Sequence, residues 1–331
     1  MSKIFAQAFG VVEEAVAAGR IPGAVLGLVE ADGRRKIQAI GRAQIEPSER
    51  AMHEDTWFDL ASLTKVLFTT PHILELAEQG VIDLDAPLIS HLPDLRQYNA
   101  NAWERKVTFR QCLGHQTPFP AVEPIYTYGR DADLLRTFIM QREWKAGAPV
   151  YSDINFILLG FVLERLARKT IREMESGAGF AWGIDADMAA ATEDCTWRHR
   201  VLCGEVHDDN CSALQGAGHA GLFGTAASVL DFGEGLLNGR GASKQVIDWM
   251  RTPLSSSRTH GFERAHQGWS GGSACSAETI GHTGFTGTGL WIDFEKNRAW
   301  TLLTNRIHPT RHFDSQIVSL RIAVGDLISQ G

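Results

Sequence analysis

No run of apolar residues in this sequence approaches the roughly 20 that a membrane-spanning helix needs. The opening stretch, MSKIFAQAFGVVEEAVAAGR, has no apolar segment of signal-peptide length and carries Glu13 and Glu14. No lipidation pattern is present either. These absences set the expectation of a cytoplasmic protein without membrane attachment. Charge of one sign is nowhere concentrated. The 32 basic and 39 acidic residues are dispersed, with a net charge of −7, which argues against nucleic acid as a partner. Cysteine is scarce: Cys112, Cys195, Cys203, Cys211 and Cys275 are odd in number and show neither CxxC nor metal-knuckle spacing. Free thiols are the expectation. Internal repeats and low-complexity linkers are also missing. With 331 residues, the chain suffices for one large domain or two lobes around a substantial core.

The patterning that is present alternates between two kinds. GAVLGLVE (23–30) and RKIQAIGRA (35–43) read as strands around the turn ADGR. From residue 62, SLTKVLFTTPHILELAEQG has helical spacing and ends at Gly80, with Pro71 expected to kink or loosen it. DLLRTFIMQ and INFILLGFVLERLARK continue the helical signal, as does AASVLDFGEGLL. Glycines crowd at 216–224, 268–272 and 281–289. LWIDFEKN and RAWTLLTN then read as a hairpin turning at Glu295–Asn297, and SQIVSLRIAVGDLIS as an amphipathic helix. Strands at both chain ends can complete one sheet if the middle is an insertion. The expected fold is therefore α+β: an antiparallel sheet flanked by helices (1–60 and 222–331) beside a mainly helical lobe (61–221), with a cleft between them.

Three segments bear chemistry. In DLASLTKV, Ser62 stands three residues before Lys65, so the two share a helix face. Alone the pattern is weak: about one chance match is expected in a chain this long, and serine also caps helices. YSDINF begins with Tyr151 ahead of a helix, and GHTGFTGTG places His282, Thr283 and Gly284 at a probable strand. The order S-x-x-K, Y-S-[ND], [KH]-T-G resembles the serine β-lactamase and penicillin-binding-protein superfamily, and most closely its class-C-like branch of DD-peptidases, D-aminopeptidases and carboxyl esterases. The resemblance covers most of the chain. It implies a β-lactamase/transpeptidase-like fold and an acyl-enzyme on Ser62, with Lys65 and Tyr151 as the proton-transfer pair. It also implies an oxyanion hole from the backbone N–H groups of Ser62 and Phe285, and no cofactor. A serine hydroxyl needs such a base, and its tetrahedral intermediate needs such donors. The partner expected is a small-molecule or short-peptide substrate: an ester, an amide or a D-amino-acid peptide. A DD-carboxypeptidase or weak β-lactamase, and a non-catalytic ligand-binding member, are the alternatives. The sequence sets no oligomeric state.

The chain departs from the pattern in instructive places. His282 stands where most β-lactamases have lysine; it is expected to orient Tyr151 or substrate and to make the rate pH-dependent near 6 to 7. Asp153 replaces the usual asparagine. It either stabilises protonated Lys65, attracts a substrate amine, or caps the helix beginning at Ile154. GHQTPFP (114–120) replaces a T-S-G-like turn, and 171–188 lacks a Pro-Leu-Gly-Met-like segment. His207 and His219, with Asp208, fit no zinc spacing and read as hydrogen-bonded loop residues, so no metal is expected. His260, His266, His308 and His312 read as surface residues. Tyr126 and Tyr128 are the aromatic candidates to line the cleft.

Overall fold

The computed structural model describes residues 1–330. Its centre is a seven-stranded antiparallel sheet of β1 (Gly23–Glu30), β2 (Arg35–Gln44), β3 (Arg50–Ala51), β4 (Glu263–Arg264), β5 (Thr279–Thr283), β6 (Gly289–Asp293) and β7 (Arg298–Thr304), in the order β3-β2-β1-β7-β6-β5-β4. The chain ends close the sheet: β1 lies against β7, with Ala24 opposite Thr304 and Glu30 opposite Arg298. Side chains on β1 alternate between two apolar layers. Ala24, Leu26 and Leu28 face one, Val25 and Val29 the other. Both faces are covered, which is why GAVLGLVE is apolar throughout rather than alternating with polar residues.

Among the described residues, seven helices have at least eight residues: α1 (Ser2–Ala17), α2 (Thr70–Glu78), α3 (Ala132–Gln141), α4 (Asp153–Ala167), α5 (Ala226–Leu237), α6 (Lys244–Arg251) and α7 (Ile317–Ser329). α1 and α7 cover one sheet face, burying Phe5, Phe9, Val12, Leu320 and Val324 against Leu26, Leu28 and Leu302. Trp291 and Trp300 stack in that layer, ring centroids 5.8 Å apart. α5 covers the other face through Val229 and Leu230. Each fully buried Val or Leu of this kind stabilises the fold by about 1.5–3 kcal/mol.

The helical region grows from the same core. α4 is buried from Ile154 to Leu163 without interruption, so its apolar residues go all the way round. A close crossing holds the 216–220 loop to it: a Cβ on Gly160 would come within 2.7 Å of the Gly218 nitrogen. All five cysteines are unpaired. No helix among the described residues is long and apolar enough to cross a membrane.

One sequence expectation is met in a specific form and one needs correction. The chain is helical from Thr64 to Glu78, and the loosening expected at Pro71 is a π-helical turn just before it: Ala61–Leu63 is a 3-10 turn, Lys65–Thr69 is π-helical with the Thr70 N–H reaching the Lys65 carbonyl, and α2 continues from Thr70. The correction is that His260 and His308 are buried rather than at the surface. His260 donates from Nδ1 to the Trp249 carbonyl (2.7 Å), and His308 Nε2 accepts the Ile45 N–H (2.8 Å).

Burial holds the imidazoles of His115, His260, His282 and His308 below their usual pKa, with His260 lowered to about 4. The unfolded chain binds protons at these positions from about pH 6.5 downward, while the folded chain does not. Stability should therefore be full above about pH 6.5 and fall as pH drops toward 4, by at most about 1.4 kcal/mol per pH unit for each such histidine. Urea-unfolding midpoints measured from pH 8 to 4 check this; a midpoint independent of pH below 6.5 contradicts it.

Candidate active site

Ser62 is positioned by the segment that precedes it. Asp59 is fully buried and accepts the Ala61 N–H (2.8 Å) and the His207 N–H (2.6 Å). Burial pushes its carboxyl up, against the pull of those two N–H groups. The Asp59 and Leu60 carbonyls accept the Thr286 and Thr288 hydroxyls from beside the sheet. Between these anchors Ala61 takes a φ of +48°, a left-handed conformation uncommon for a residue with a Cβ and a form of strain that clusters at functional sites. Ser62 follows at once, half-buried, in the 3-10 turn.

Lys65 is the pivot. Its side chain has no exposure, and its Nζ lies 2.8 Å from Ser62 Oγ, 3.1 Å from the His219 carbonyl and 2.8 Å from Asp153 Oδ1. Burial alone would lower the amine's pKa, but Asp153 and then Tyr151 more than offset it, so the pKa is raised. Lys65 is an ammonium at rest. Tyr151 is likewise pushed up by burial, although Lys65 pulls the other way, and rests as the neutral phenol. Its ring lies 5.1 Å from Lys65 Nζ, 4.3 Å from the His115 ring and 5.9 Å from the His282 ring. Asp153 does not cap α4. Ser152 takes the N-cap position without a side-chain bond, and Asp153, the first helical residue, turns its carboxylate to Lys65. An ammonium at 2.8 Å satisfies that charge better than a backbone N–H would.

His282, Thr283 and Gly284 run from β5 into a turn that touches the Ser62 segment. A Cβ on Gly284 would meet Thr288 Oγ1 at 2.1 Å and the Leu60 carbonyl at 2.6 Å. Only glycine lets this turn approach, and the approach brings Phe285 to the cavity that Ser62 borders. The Phe285 ring is half exposed there and stacks on His207, centroids 5.7 Å apart.

A family profile described as Beta-lactamase matches residues 9–324. The chain belongs to the beta-lactamase family. It is a serine hydrolase at that level. It is 29% identical to the N-acetylmuramyl-L-alanine amidase of Bacillus subtilis (strain 168), over 90% of this chain and 80% of that protein. It is 26% identical to the putative D-alanyl-D-alanine carboxypeptidase of Escherichia coli (strain K12), over 76% and 70%. Among solved structures, "EstCE1, a hydrolase with promiscuous acyltransferase activity" superposes with a TM-score of 0.76 at 20% identity, over 99% of both chains. The last likeness speaks to the fold.

In this beta-lactamase-family cleft a cavity of about 530 Å³ is bordered by Ser62, Tyr126, Tyr151, Asp153, Asp208 and Phe285, among others. Tyr128 lies outside it: its ring stacks on Phe138 and its hydroxyl bonds Glu123 (2.7 Å). His282 is also not at the cavity. It is 3% exposed, with Nδ1 donating to the Thr283 carbonyl (2.9 Å), and it meets Tyr151 rather than open space. Burial, then Arg258 and Lys65, hold its pKa well below 6.5, so the expected titration near pH 6 to 7 is corrected: His282 is neutral throughout that range. Thr283 ends β5 and does not border the cavity.

The loop histidines are bonded as read. His207 Nε2 meets Glu193 (2.9 Å) and His219 Nε2 meets Asp208 (2.9 Å). Ligand atoms of Asp153, Asp208 and His219 lie within 4.8 Å of one another. The Lys65 ammonium, 2.8 Å from Asp153, already supplies a cation to that cluster. Two residues escaped the sequence reading. His115 accepts the Ser152 N–H (3.1 Å) and so holds the Tyr151–Asp153 stretch. The Arg258 guanidinium lies 5.2 Å from the centre of the Tyr151 ring without a carboxylate partner among the described residues. GHQTPFP draws notice for its turn and not for the histidine within it; nothing in SSSRTH marks the second.

The Gly284 contact yields a test. Gly284→Ala should push the 284–288 turn off the Ser62 segment and lower ester kcat/KM by about 100-fold, the scale of losing one oxyanion donor. Kinetics with p-nitrophenyl acetate, alongside circular dichroism to show that the fold persists, check it.

Proposed function

We propose that this protein hydrolyses a small ester, amide or D-amino-acid peptide through an acyl-enzyme on Ser62. The observation that carries the reading is the 2.8 Å contact between Ser62 Oγ and a buried Lys65 at the edge of a cavity. A serine beside a wholly buried ammonium that also holds a carboxylate is arranged for proton transfer, not for capping. A binding-only member would have no need to bury that charge.

The chemistry follows from the resting charges. Lys65 enters as an ammonium and cannot take a proton until it gives one up. Asp153, 2.8 Å away, is the acceptor. As Ser62 Oγ attacks the carbonyl carbon, its proton passes to Lys65 Nζ while Lys65 hands one to Asp153. The oxyanion is received by the Ser62 and Phe285 N–H groups. On collapse, the bond to the leaving group breaks and the leaving atom takes the Tyr151 proton. Tyr151 is then reprotonated from Asp153 through Lys65. Water repeats the sequence on the acyl-enzyme and restores Ser62. The aspartate that departs from the usual asparagine is thus the proton reservoir. Its pairing with Lys65 removes the reason to expect a substrate amine there.

A second reading, the carboxypeptidase alternative, gains from Arg258. A guanidinium without a carboxylate partner beside Tyr151 suits a leaving group that bears a carboxylate.

Intact mass after incubation with a penicillin, with Ser62→Ala as control, tests the nucleophile. An adduct, or consumption of the drug, confined to wild type supports it. Equal p-nitrophenyl acetate turnover by wild type and Ser62→Ala removes it. Asp153→Asn should lower kcat/KM by roughly 10²–10³, within the range for a lost proton acceptor. A faster Asp153→Asn enzyme would show instead that the carboxylate only restrains Lys65.

A further inference from the structure

A second cavity, of about 450 Å³, adjoins the one at Ser62, and Tyr126 and Asp209 border both. Its floor is made by a hairpin that none of the motifs touches. Residues 196–199 form the tip between the paired strands Asp194–Cys195 and Arg200–Val201. The tip displays Trp197, whose side chain is 50% exposed and whose ring meets Tyr126 edge to face, centroids 5.2 Å apart at 70°. An indole left half open on one face is unusual, since a ring of this size normally buries most of its area.

The tip is braced. Arg198 donates to the Val206 carbonyl (2.7 Å), to the His207 carbonyl and to Asp209 Oδ1 (2.9 Å). His207 in turn donates its N–H to Asp59, which fixes Ala61 beside Ser62. On the opposite wall the Tyr126 N–H is held by Asn210 Oδ1 (3.1 Å). The indole is thus presented at a fixed place relative to Ser62 by a continuous set of hydrogen bonds.

Around the exposed indole, with Tyr126 edge-on to it, the rim is polar: Arg130, Thr196, His199 and Ser212 border the cavity, while the Asp209 carboxylate is taken up by Arg198. Arg130 is exposed and forms no ion pair among the described residues. A ligand that matches one flat apolar surface, a ring of hydroxyl and imidazole partners, and one unneutralised cation has a flat C–H face, several hydroxyl groups and a negative charge. We infer that Trp197 and Arg130 form a subsite for a pyranose sugar bearing a carboxylate, carried on the part of the substrate that extends from Ser62 past Tyr126. The inference rests on the hydrolase reading for its connection to Ser62, but the subsite is testable apart from it.

Binding of N-acetylmuramic acid, a pyranose with a carboxylate, is measured on the intact Ser62→Ala protein by calorimetry, beside N-acetylglucosamine and benzoate. N-acetylmuramic acid should bind more tightly than either. Trp197→Ala should weaken it at least tenfold, and Arg130→Gln should erase its advantage over N-acetylglucosamine while leaving that neutral sugar's affinity within twofold. Benzoate binding as tightly as the sugar acid, or affinity unaffected by Trp197→Ala, overturns the proposal. Should the wild-type protein turn over no ester yet bind the sugar acid through Trp197, the hydrolase reading falls and the subsite stands.

Discussion

A lysine with no exposed surface constrains everything near it. An unpaired buried ammonium costs several kcal/mol, so the fold must deliver acceptors to Lys65 from every side. They come from three separate stretches: Ser62 from its own turn, the His219 carbonyl from the glycine-rich loop, and Asp153 from the first turn of α4. The loop reaches Lys65 because Gly160 and Gly218 let backbone pass against backbone. The π-helical turn that begins at Lys65 widens the helix where these partners converge, in keeping with the concentration of such turns at working sites.

Tyr151 stands at the boundary of two electrical regions. On one side lie the Asp153 and Asp208 carboxylates with Lys65 between Ser62 and Asp153. On the other lie Arg258 and two imidazoles, His115 and His282, that burial keeps neutral. Neutral imidazoles beside a phenol add hydrogen-bonding and packing without adding charge. The histidine that replaces a permanent cation in the H-T-G triplet therefore leaves Arg258 as the positive group on that flank.

Much of this was legible in the residues. β1, β2, the β6–β7 hairpin and α5 each follow from local periodicity bounded by turn residues, and the closing of the sheet by both chain ends follows from their placement. Ser62, Lys65 and Tyr151 were found by the order of three motifs, and the structure brings them together. What stayed hidden depends on packing between distant segments. Nothing local distinguishes a buried His260 from an exposed His312. Tyr126 and Tyr128 sit two apart in one loop, yet one faces the cavity and the other stacks on Phe138. Asp153 has the sequence position of a cap, and only the arrival of Lys65 from another segment redirects it. Arg258 and Trp197 lie in stretches without periodicity, where side-chain direction is set by tertiary contacts alone.

The pairing of Ala24 with Thr304 has a consequence for the life of the chain. The sheet against which the Ser62 turn is braced cannot close until its last strand exists, and contacts this far apart in sequence form slowly. On a ribosome, the first strands wait with their edges unpaired while nearly all of the remaining chain is made. The surroundings of Ser62 are thus completed only once β7 has been made. Chains that stop short of it carry Ser62, Lys65 and Tyr151 but lack the strand that closes the sheet behind them.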